Sequence, residues 1–143
     1  MRTPLGSTAS IVQSFDRGEA PNGKFHHRDH ILVAWCYLQE FPLLEALTRL
    51  VAAIQRFALA KGVPDLYHAT ITVGYVMIIS QRLSENPTAG WLEFERTNRD
   101  LFVWPNGALS DYYSAEQLAG ARAKQEFLLP DKIAANEVAT AHA

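Results

Sequence analysis

The sequence predicts an all-α chain, a small helical bundle of three principal helices with additional short C-terminal helices. Three observations predict it. Apolar residues recur at helical spacing between Leu44 and Ala58. Helix stop and start signals stand at the ends of such runs, with Gly62 after one and Ser114-Ala-Glu-Gln117 ahead of another. The links between runs are short, which favours antiparallel neighbours. At 143 residues, 48% hydrophobic and 20% charged, the chain is long enough to bury a core and has an ordinary globular composition.

Residues 1–24 are rich in Gly, Pro, Ser and Thr, with a turn signal at Pro21-Asn22-Gly23, and read as an extended N-terminal arm. A helical domain follows over 25–132. Its first helix spans about 27–40, with Ile31, Ala34, Trp35 and Leu38 on the buried face. Pro42 suits the first turn of a second helix. There Leu44, Leu47, Val51, Ile54 and Ala58 oppose Glu45, Arg49 and Arg56, and Gly62 is the expected C′ residue. Asp65 is the expected N-cap of a third helix over about 66–83. The β-branched residues Ile71, Thr72, Val73, Val76, Ile78 and Ile79 favour a strand locally, but the segment is long for one. Apolar on both faces, this helix is expected to be the central one. Asn86-Pro87 breaks the chain, and Thr88 is positioned to cap a short helix carrying Trp91, Leu92 and Phe94. An aromatic loop, Leu101 to Gly107, precedes the capping box at Ser114, whose helix ends at Pro130-Asp131. The Ala-rich tail 133–143 is expected to fray.

Charge narrows the partners. Thirteen basic and fifteen acidic residues are mixed along the chain, with no basic stripe to neutralise phosphates, so nucleic acid is not expected. The longest apolar stretch, Ile71 to Ile79, is broken by Thr72 and Gly74 and falls short of the roughly 20 residues that span a bilayer. The N-terminus has no apolar core of a secretory signal, so a cytoplasmic protein without membrane contact is expected, and a homo-oligomer is compatible with the composition. Cys36, the one cysteine, sits in an apolar run and reads as a small buried hydrophobe rather than a catalytic thiol.

Histidine carries the chemistry. Of five, His142 lies in the tail; His26, His27 and His30 cluster at the start of the first helix, and His68 stands near the start of the third. On a helix, His27 and His30 share a face at i, i+3, as His26 and His30 do at i, i+4, spacings at which two imidazoles can chelate one ion. Up-down-up order makes helices one and three parallel and brings His68 level with the cluster. His27, His30 and His68 with an open position would describe a zinc, copper or iron site. Without a metal, His30 and His68 with Tyr67 and Thr72 would make an acid–base site. Tyr75 lies a further turn along, and Asp29 is a candidate to orient an imidazole. Trp35 and Tyr37 are candidates for cavity walls, though core filling explains Trp35 better. Trp104-Pro105 and Tyr112-Tyr113 are candidates for an aromatic lid. The plain alternatives are a solvated polar turn at 26–30 and a core histidine at 68.

Phe25-His-His-Arg-Asp-His-Ile-Leu-Val-Ala-Trp35 followed by Tyr67-His-Ala-Thr70 resembles a family of small bacterial helical proteins. Its second motif usually reads Tyr-His-Glu-Thr, and a later Tyr-Tyr-Ser and a Pro-Asp recur, here Tyr112-Tyr113-Ser114 and Pro130-Asp131. The resemblance covers about residues 25–131 and singles out His27, His30, Tyr67, His68 and Thr70, with Ala69 in place of the usual acid. It implies no activity. The leading expectation is a small-molecule enzyme with a His-lined pocket and a divalent metal, acting by hydrolysis, hydration or oxygen chemistry. The alternatives are a metal-free histidine acid–base enzyme and a non-catalytic binding module.

Overall fold

The computed structural model describes residues 7–21, 23–87, 90–105 and 107–132, and all regular structure among them is helical. Helix α1 spans Thr8–Asp16, where the sequence reading expected extended arm. Ser7 caps it by accepting the Ser10 backbone N–H, and Ile11, Val12 and Phe15 are buried. Phe15 packs face to face on Phe25 at 5.2 Å and leans on Phe57 at 5.6 Å. The signal was present as an apolar triplet at i, i+1, i+4 behind a serine, masked by the Gly and Pro on either side.

Helix α2 spans His27–Glu40, as expected, and is buried without interruption from Asp29 to Tyr37. Helices α1, α3 and α4 all pack against it. The central helix is therefore α2, not the third of the sequence reading. Asp29 fixes its start by accepting the His26 backbone N–H at 3.0 Å, a favourable charge in the first turn. Helix α3 spans Leu43–Ala60, with Pro42 as the N-cap one residue ahead of the first turn. Its C-terminus is a Schellman motif: Gly62 (φ +72°) and Val63 donate to the carbonyls of Leu59 and Ala58. Its buried face is Ala46, Leu50, Ala53, Ile54 and Phe57, which leaves the expected Leu44 73% exposed. Packing against both α1 and α2 rotates the apolar stripe away from the simple periodic choice.

Residues Pro64–Leu66 form a 3₁₀ turn, and helix α4 spans Ala69–Glu85. Asp65, the expected cap, lies in that turn and pairs with Lys124 instead; His68 is the N-cap. Helices α5 (Trp91–Thr97), α6 (Ala115–Ala119) and α7 (Ala121–Gln125) complete the described chain. Ser114 caps α6 as expected, accepting the Gln117 N–H at 3.1 Å, but Gly120 splits the expected last helix and α7 stops at Gln125. The expectations for Thr88 and for the tail from residue 133, His142 included, lie outside the described residues.

Two devices bind later segments to this framework. Arg82 on α4 makes a two-pronged contact with Asp100 at 2.7 Å, which holds that carboxyl below the usual range. Thr70 donates to the Glu126 carbonyl at 2.9 Å and accepts the Leu128 N–H at 3.1 Å, while Tyr113 donates to the Leu128 carbonyl at 2.6 Å. Residues 126–128 are thus strapped across the start of α4. None of the described helices is long and apolar enough to cross a membrane.

Candidate functional site: a histidine-lined cavity

The starts of α2 and α4 meet at a cavity of about 200 Å³, lined by His26, His27 and His30 from one side, His68 and Thr72 from the other, and Trp104. Both histidine groups of the sequence therefore reach one place. What their nitrogens do there differs sharply.

His30 is the deepest, 8% exposed, and its Nε2 is buried without a hydrogen-bond partner. Burial pushes its pKa down to about 4, with the neighbouring His27 adding to the effect, so the ring is neutral at physiological pH. Phe25 and Tyr75 enclose it, at 5.5 and 6.1 Å between ring centroids. His27 is half-buried and donates from Nε2 to the Leu101 carbonyl at 2.7 Å. That bond places its proton on Nε2 and leaves Nδ1 as an acceptor. Burial lowers the His27 pKa and the Leu101 carbonyl partly restores it. Trp104 stacks on the His27 ring at 5.2 Å, so one member of the expected aromatic lid does cover the histidines.

His68 has no nitrogen to spare. Its Nδ1 accepts the Ile71 backbone N–H at 3.1 Å, capping α4, and its Nε2 donates to the Leu118 carbonyl at 2.8 Å. Of the set His27, His30 and His68, the last has both nitrogens engaged by the main chain. Among the described residues no three or more His, Cys, Asp or Glu side chains are grouped to hold an ion.

Tyr67 is half-buried and does not line the cavity. Thr72 does, and is buried. Thr70 works in the strap described above. Ala69 is buried and, as an alanine, supplies no carboxylate. Trp35 packs on Trp91 at 5.5 Å and Tyr37 donates to Asp16, which makes both core residues. Burial pushes the Cys36 thiol up to about 12, which leaves it inert. The sequence reading missed the two carbonyls, Leu101 and Leu118, that settle the histidine tautomers. A main-chain group on a distant loop leaves no mark in side-chain spacing.

No protein-family model, curated protein or solved structure matches the chain.

Proposed function

We propose that this chain binds a small molecule in the cavity between α2 and α4 without a metal, and that His30 is the group that hydrogen-bonds it. In this reading α2, α3 and α4 form the principal bundle in up-down-up order, in the cytoplasmic setting expected from the sequence. The observation that carries it is the His30 Nε2, buried, unpartnered and beside an open cavity. A polar atom in that position costs stability unless something fills its valence, so a fold that keeps one there beside a cavity is built to meet a ligand or solvent.

Binding is favoured over acid–base catalysis by the same residue. A general base works best with a pKa near the operating pH, and His30 at about 4 is far from it. His27, whose shift is opposed by the Leu101 carbonyl, would be the proton carrier of a catalytic reading. A divalent ion would have to be held without His68. Zinc titration of the wild type and of His68→Ala, followed by calorimetry, is expected to show no site that depends on His68. Loss of one tight equivalent in the variant would restore the three-histidine metal reading.

The binding reading is tested with acetamide, small enough for the cavity and both donor and acceptor. Its addition is expected to shift the His30 ring ¹⁵N resonances in wild type and to leave no binding in His30→Leu. Unmoved His30 resonances at saturating acetamide would overturn the proposal.

A further inference from the structure

A second chamber of about 430 Å³ adjoins the histidine cavity, and Ile71 and Trp104 line both. Its other walls include Leu109, Tyr113 and Leu118, largely apolar surface. Tyr75 lines it too, with its ring 5.1 Å from His27 and 6.1 Å from His30. The Tyr75 side chain is fully buried and its hydroxyl proton has no acceptor. The backbone N–H of Leu109, itself a wall residue, points toward the phenol oxygen and softens the shift in its pKa, but as a donor it cannot take the hydroxyl proton. Burial, helped by the charge of Asp100, raises that pKa to about 12, so the group stays an O–H donor.

Each chamber thus has in its wall a residue with a buried polar atom that lacks a partner, His30 in one and Tyr75 in the other, with their rings 6.1 Å apart. We infer that the two chambers form one site for an uncharged carbonyl compound with an apolar, aryl-sized body, its carbonyl oxygen accepting from the Tyr75 hydroxyl. The inference rests on the binding reading above and adds the ligand class. The body lies in the larger chamber, within the size range of small-molecule sites. The head is uncharged because the groups that meet it are neutral: the imidazoles of His27 and His30 and the phenol of Tyr75. A carboxylate moved there from water would lose its hydration without gaining a cation. Lys132, the one charged residue among the described residues of the chamber wall, is exposed and donates from Nζ to the Ser110 carbonyl at 2.8 Å.

The test uses 4-phenylbutan-2-one, its near-isostere 3-phenylpropanoate, butylbenzene and acetamide, titrated by NMR into wild type, Tyr75→Phe and Ala119→Phe. Ala119 is an exposed wall residue, so a larger side chain there narrows the chamber without entering the core. The ketone is expected to bind wild type more tightly than the acid or the hydrocarbon. Tyr75→Phe should weaken the ketone about tenfold, the size of one lost hydrogen bond at a buried donor, and leave butylbenzene unchanged. Ala119→Phe should lose the ketone and keep acetamide. Tightest binding of the propanoate, through Lys132, overturns the inference, as does equal ketone affinity in wild type and Tyr75→Phe. A wild type that takes acetamide through His30 but no ketone overturns this inference alone and leaves the binding reading standing. Absence of the acetamide response overturns the binding reading itself.

Discussion

His30 and His68 face the same cavity from two helices and have opposite occupations. His68 spends one nitrogen on capping α4 and the other on the Leu118 carbonyl. His30 sits deeper, with its Nε2 unspent. The difference teaches that a count of imidazoles at a cavity is not a count of ligand-binding groups. The backbone competes for the same lone pairs, and at a helix N-terminus, where four N–H groups lack partners, it competes strongly.

Acid should separate the two most. The unfolded chain protonates His30 near pH 6.5, whereas burial holds the folded ring neutral down to about 4. The folded-state pKa is depressed, so stability is lost as pH falls from about 6.5 and the loss levels off below about 4. Its full extent is on the order of 3 kcal/mol. Urea unfolding of wild type and His30→Leu between pH 7 and pH 4 measures it, because the carboxylates common to both cancel. The variant is expected to lose much less stability over that range. Parallel pH profiles would mean that His30 is solvated, and the comparison would collapse.

The next effect belongs to His68. His68→Ala removes a cap, worth about 1 kcal/mol, and strands a carbonyl for a similar amount. A loss of about 2 kcal/mol at pH 7 is expected, with His68→Asn recovering the cap share. Unchanged stability in His68→Ala would free its nitrogens for a ligand and bring the two histidines back to one role. The smallest effect sharpens the contrast from the side of the fold. Thr70→Val should cost about 1 kcal/mol and speed amide exchange at Leu128, without altering acetamide binding at His30.

Some of this was legible in the residues alone. The histidine spacing in Phe25–His30, the start of α2 and the Gly62 stop depend on neighbours a few positions apart, and sequence records those directly. The two histidine groups line one cavity, as their places at two helix starts suggested. The central place of α2 was not legible, because it depends on α1, whose short apolar triplet looked like part of a Gly- and Pro-rich arm. The start of α4 lies three residues later than the expected one, since Asp65 is the better cap by propensity, whereas His68 caps through Nδ1 while its Nε2 is held by Leu118, fifty residues away. The unspent atoms on His30 and Tyr75 were invisible for a related reason. Whether a polar atom is satisfied depends on everything around it.

The strap across α4 puts the parts of this molecule in a temporal order. Thr70 reaches residues 126 and 128 across separations of 56 and 58 positions, and the larger chamber draws its walls from Ile71 through to Lys132. On a ribosome, which delivers the N-terminal end first, α1 to α4 emerge with the histidines already at hand. The chamber walls at Leu118 and beyond follow them. A chain shortened to residue 125 would carry the cavity histidines while lacking the segment that Thr70 and Tyr113 hold down.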